Sequence, residues 1–176
     1  MSDLIIHPED SSTDFLKRIY QQSKDKIVIK DKEPDNFLEL LKNSTRVFLL
    51  GHGCADGLFF FIEMLNKSEV IEELKKKGSN VFYIWCHASS YVEKHDLQGL
   101  ATGMFVSETD EALYYEIDNS EIEIDYSNNL FAKIIGNNID LPTKDIYELI
   151  HQEYNAVIES KLIKFNLERL RLFNRH

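Results

Sequence analysis

Short apolar runs alternate with stretches of helical period along most of the chain. Leu4-Ile5-Ile6 is a brief apolar run, and Lys26 to Lys30 reads K-I-V-I-K, an apolar core between charges. Arg46 to Gly51 (R-V-F-L-L-G) and Val81 to Trp85 (V-F-Y-I-W) have the unbroken apolar character of strands buried on both faces. Leu58 to Ile62 is a further apolar run, and Gly103 to Val106 is the candidate fifth strand. Between them lie helical patterns. Ser11-Ser12-Thr13-Asp14 is a capping signal, with Phe15, Leu16, Ile19 and Tyr20 following at helical spacing. Pro34 fits the first turn of a second helix whose apolar face is Phe37, Leu38, Leu40 and Leu41. A third helix starts from Asn66 or Ser68 and ends at Gly78, with Glu72–Lys76 and Glu73–Lys77 spaced i,i+4. Thr109-Asp110-Glu111 starts a fourth, with acids in its first turn, and Asp125 to Ile135 reads as a fifth. Pro142-Thr143 opens a long last helix through Ile146, Leu149, Ile150, Tyr154, Val157 and Ile158, continuing past Leu162 and Phe165.

Strands alternating with helices predict an α/β fold, a mostly parallel sheet covered on both faces in a three-layer α/β/α sandwich. The 176 residues favour one domain, spanning 1–176, with a C-terminal helix from about residue 142 that projects or docks. No internal repeat or low-complexity linker interrupts it.

Composition narrows the function classes. Apolar residues make up 43% of the chain, enough for an ordinary packed core. The formal net charge is −10, which argues against a nucleic-acid partner and against an anionic membrane surface. No apolar run approaches the roughly 20 residues a membrane span needs. Met1 to His7 lacks the pattern of a secretory signal, and Cys54 and Cys86 are too few for a disulfide scaffold. A cytoplasmic location is expected. The charge is also uneven. Residues 108 to 125 hold eight acids and no base, whereas the last sixteen residues carry five bases and one acid.

In an open α/β sheet, chemistry collects at the carboxyl ends of the strands. Two such ends carry reactive side chains: Gly51-His52-Gly53 and Trp85-Cys86-His87. If their strands are neighbours, His52 and Cys86 emerge on the same rim, and a thiol beside an imidazole is the minimum machinery for nucleophilic acyl transfer. Gly53 would let a backbone amide approach a substrate carbonyl, and with the Cys86 amide it could form an oxyanion hole. A cysteine at a strand end is also commonly just a small buried apolar residue. A metal site from His52, Cys54, Cys86 and His87 is conceivable but finds no supporting ligand spacing, and no metal or cofactor is assigned. Ser11-Ser12-Thr13 after the first strand is a weak candidate for a phosphate-cradling loop of a flavodoxin-like nucleotide binder.

These pieces resemble, in order, the caspase-like cysteine peptidases of clan CD, a group that includes caspases, gingipains, legumain-like enzymes and bacterial CHAT proteins. The signature is an apolar strand ending in His-Gly and a later apolar strand ending in Cys, here V-F-L-L-G-His52-Gly53 and V-F-Y-I-W-Cys86. Leu4 to Leu16 resembles the first strand and helix start, Asp56-Gly57-Leu58-Phe59 the hairpin after His-Gly, and Cys86-His87-Ala88-Ser89 the turn of CHAT domains. The likeness runs over residues 1 to 135. Trp85 departs from it, standing where the family has a small residue. The resemblance implies a caspase-like fold and a cysteine endopeptidase. Cys86 would attack the scissile carbonyl, His52 would protonate the leaving amine, and the Gly53 and Cys86 amides would hold the oxyanion. The partners implied are a protein or peptide substrate and an activating protein. His87 and His95 read as rim residues and Cys54 as an accessory thiol. Asp56, Glu108 and Asp110 are candidate substrate-binding acids that would favour a basic P1 side chain, and they read equally as a solvated face and a helix N-terminus. The competing expectation is an inactive caspase-like or flavodoxin-like domain that acts as an adaptor, with Cys86 buried and inert.

Overall fold

The computed structural model describes residues 2–155 and 160–174. Its centre is a six-stranded sheet. The strands are β1 (Asp3–Ile6), β2 (Lys26–Ile29), β3 (Val47–Leu50), β6 (Val81–Ile84), β7 (Gly99–Thr102) and β8 (Leu170–Phe173), in the order β2-β1-β3-β6-β7-β8. All neighbouring pairs are parallel except β7 with β8. A two-stranded antiparallel hairpin, β4 (Gly53–Cys54) with β5 (Gly57–Leu58), follows β3.

Side-chain alternation along the strands builds two cores. Leu4, Ile6, Val47, Leu49, Val81, Tyr83 and Trp85 point to one face. There they meet α2 (Phe37–Asn43), α3 (Ile62–Leu65), α4 (Ser68–Lys77) and α5 (Ala88–Lys94) through Phe37, Leu41, Met64, Leu74 and Tyr91. Ile5, Phe48, Leu50, Phe82 and Ile84 point to the other face. They pack on a 3₁₀ turn (Ser11–Leu16) and on α1 (Lys17–Tyr20), α7 (Glu121–Asn137), α8 (Thr143–Asn155) and α9 (Lys161–Glu168) through Leu16, Ile19, Phe131, Ile146 and Ile163. The result is a mostly parallel sheet between two helical layers. No helix among the described residues is long and apolar enough to cross a membrane.

Four differences from the sequence reading have identifiable physical causes. The fifth strand is Gly99–Thr102, not Gly103–Val106. Its first residue must be glycine, because a Cβ at Gly99 would collide with the Val81 carbonyl oxygen. The fifth helix starts earlier, at Glu121, because Ser120 and Glu123 form a capping box. Along α4 the ion pairs are i,i+3, Glu72–Lys75 and Glu73–Lys76, while Lys77 turns away to the carbonyls of Lys42 and Ser44. The C-terminal part is not one helix. It comprises α8, α9 and then β8, whose Leu-Arg-Leu alternation pairs it with β7 and closes the sheet edge. The expected continuation through Val157 and Ile158 lies outside the described residues.

Candidate active site

The five parallel strands run in the order of a doubly wound sheet, whose strand order reverses between β1 and β3. A crevice outside the carboxyl ends of strands at such a reversal is the usual ligand position in open α/β sheets. Two loops border it, His7 to Ser12 after β1 and Gly51-His52 after β3. Next along the sheet comes Trp85-Cys86 after β6. Strands β3 and β6 are paired so that Leu50 lies opposite Ile84. His52 and Cys86 each follow two residues later, so the register brings them to equal positions past the same edge.

Both side chains are half-buried, and both line one small crevice with Thr13, Phe15, Leu16, Trp85, Phe105 and Ser107. The crevice holds about 20 Å³, room for one water. Within it the two residues have separate partners. Cys86 Sγ lies 3.5 Å from the Phe105 carbonyl oxygen and 3.8 Å from Glu111 Oε1. Burial, with the nearby Glu111 and Glu108 carboxylates, pushes the thiol up to about 11, so at neutral pH it is protonated. His52 Nε2 lies 2.7 Å from Ser12 Oγ, and the Ser12 hydroxyl donates to Asp10 Oδ1 at 2.8 Å. The Ser12 amide donates to the same carboxylate oxygen at 2.9 Å.

Glu111 is held from its own side. It stands in the first turn of α6 (Thr109–Tyr114), and its Oε2 accepts the amides of Ser107 at 2.8 Å and Glu108 at 3.3 Å. One carboxylate therefore caps a helix and faces the thiol.

Packing also requires a glycine at position 53. A Cβ there would lie 2.6 Å from Gly57 O and 2.7 Å from Trp85 Cγ. The space is filled by the Trp85 indole, whose Nε1 donates to Cys54 O at 2.9 Å. The indole thus clamps the hairpin to the end of β6, and Gly53 is small because of that packing.

The three candidate substrate-binding acids part company. Glu108 and Asp110 line a polar cleft of about 470 Å³ with Ser11, Ser12, Glu121, Asp125 and Asn128. Phe15 and Ser107 border both this cleft and the Cys86/His52 crevice, so the two adjoin. Asp56 borders neither. It sits at the turn of the hairpin and pairs with Lys94 at 2.9 Å. His87 is exposed and adopts a left-handed conformation (φ 68°) where β6 passes into α5, and His95 bonds Asn66 at 3.1 Å. Among the described residues no three His, Cys, Asp or Glu side chains gather as a metal ion would require.

The sequence reading does not name Asp10, places Ser12 only in a capping signal and a candidate phosphate loop, and places Glu111 only in a helix start. Asp10-Ser11-Ser12 carries a signal, since an aspartate two residues before a serine favours a local side-chain turn. The approach of Glu111 to Cys86 is tertiary and has no local signature. No family model, curated protein or solved structure matches the chain.

Proposed function

We propose that the chain is a cysteine endopeptidase of caspase-like type, held here in a resting state, with Cys86 as nucleophile and His52 as general acid and base. One observation carries the reading: His52 and Cys86 occupy equal positions beyond adjacent parallel strands and line the same crevice. The hairpin directly after His52-Gly53 agrees with the same resemblance. In the reaction, Cys86 Sγ adds to the scissile carbonyl carbon. The C–N bond breaks as His52 protonates the leaving amine, and water then hydrolyses the thioester. The acids of the adjoining cleft favour a basic side chain near the cleaved bond.

The resting state is defined by three features. The thiol is protonated and held near Glu111, the imidazole is bonded to Ser12, and the crevice is too small for a peptide. In the resembled family the two side chains often stand apart in the free enzyme, so the separate partners of His52 and Cys86 fit a latent enzyme. The same elevated thiol favours a second reading, an adaptor in which Cys86 is an inert half-buried residue. A library of denatured peptides, digested by the parent chain and by Cys86→Ala, separates the two. Mass spectrometry should find new termini, enriched after Lys or Arg, only with the parent. Identical digests from the two chains remove the peptidase reading.

A further inference from the structure

We propose that Asp10 and Ser12 are positioning residues for His52, forming a hydrogen-bonded relay that fixes which ring nitrogen carries the proton. The assignment follows from donor and acceptor inventory. The Ser12 hydroxyl and amide both bond Asp10 Oδ1, at 2.8 and 2.9 Å. These two bonds hold the Asp10 carboxyl below the usual carboxylate range, so at neutral pH it is ionised and only accepts. The Ser12 hydroxyl therefore gives its single proton to Asp10. Its oxygen is left as the acceptor for His52 Nε2, 2.7 Å away. His52 Nε2 must carry the hydrogen, and in the neutral ring Nδ1 is the basic nitrogen.

This arrangement has a chemical consequence that rests on the peptidase reading. Nδ1 takes the thiol proton as the Cys86 sulfur bonds to the carbonyl carbon, then passes it to the leaving nitrogen as the C–N bond breaks. The Nε2 proton stays on Nε2 throughout, donated to the Ser12 hydroxyl oxygen. The imidazolium formed in between is charge-matched by Asp10 through one hydroxyl, the job a directly bonded carboxylate does in a serine triad. The relay also ties the loop after β1 to the loop after β3 across the reversal point of the sheet. Neither Asp10 nor Ser12 needs to touch substrate for this.

The ring nitrogens report the relay directly, whatever the activity. The full chain, labelled with ¹⁵N-histidine, is compared with Ser12→Ala and Asp10→Ala, and the His52 signals are assigned from His52→Gln. The parent should show the Nε2–H tautomer at His52. Ser12→Ala should shift His52 toward a mixture of tautomers. His7 lies in the same loop but bonds Tyr20 and Thr13, so unchanged His7 signals report that the loop is still folded. On a cleaved peptide, both variants should lower kcat by on the order of 10- to 100-fold with KM little changed. An Nδ1–H tautomer in the parent, or an unchanged His52 tautomer in Ser12→Ala, overturns the relay. If the ring signals respond as expected but the parent cleaves nothing, the relay stands and the peptidase reading falls.

Discussion

The proximity of Glu111 to Cys86 can be turned into a measurable rate. Burial is the main reason the thiol is pushed from its ordinary 9.0 to about 11, and the Glu111 carboxylate adds to it. Two pH units mean that the thiolate population at pH 7 falls from about 10⁻² to about 10⁻⁴, a hundredfold loss of the reactive form. Iodoacetamide alkylation of Cys86, followed by mass spectrometry in a Cys54→Ser background, should therefore climb about tenfold per pH unit from 7 to 10. It should show no plateau in that range. Glu111→Gln removes the charge 3.8 Å from Sγ, yet keeps one oxygen to accept the Ser107 and Glu108 amides. It leaves burial in place, so the expected gain is partial, roughly threefold to tenfold in rate at pH 8. A plateau at or below pH 9 in the parent, or an unchanged rate in Glu111→Gln, would refute the idea that burial and this carboxylate keep the thiol at rest.

Three further outcomes follow from the packing around the site. Burial, then Lys17, lowers His7 from 6.5 to about 4, so the folded state binds its proton less readily than the unfolded chain. The stabilisation is complete above about pH 6.5 and is lost as pH falls from there toward 4. It amounts to about 3 kcal/mol, and His7→Gln should flatten that part of a urea-denaturation series against pH. Gly53→Ala pushes a methyl into the Trp85 indole and Gly57 O, so it should cost about 2 kcal/mol or more and lower the melting temperature by roughly 5 °C; an unchanged melt would show that the clamp is soft. Phe60 is 81% exposed with φ +69°, and Phe60→Gly should raise stability by about 1 kcal/mol in the same melt.

Four strands and the order of alternation were legible because β1, β2, β3 and β6 lie in dense apolar runs that local patterning reports. Strand β7 was not, because Gly-Leu-Ala-Thr carries little strand propensity; its place is set by the close approach of Gly99 to β6. Strand β8 was hidden at the end of a helical pattern, although Leu170-Arg171-Leu172 alternates, because its pairing with β7 is long-range. At the site, His52 and Cys86 could be found because strand ends are visible in sequence and parallel register does the rest. Glu108 and Asp110 were placed beside the crevice by the helix start that follows β7, but Asp56 was not, since the hairpin carries it toward Lys94. Asp10, Ser12 and Glu111 act through contacts spanning 25 to 40 residues or through a local turn with many other uses, so sequence alone ranks them no higher than their neighbours.

The central claim is that Cys86 becomes a nucleophile in concert with His52. Intact-mass and peptide mapping after treatment with a peptide chloromethyl ketone bearing Lys or Arg at P1 tests it most directly. The account predicts a single adduct on Cys86, formed faster than with an Asp-P1 reagent and strongly slowed in His52→Ala. No adduct on Cys86 with either reagent, or equal labelling with and without His52, would contradict it.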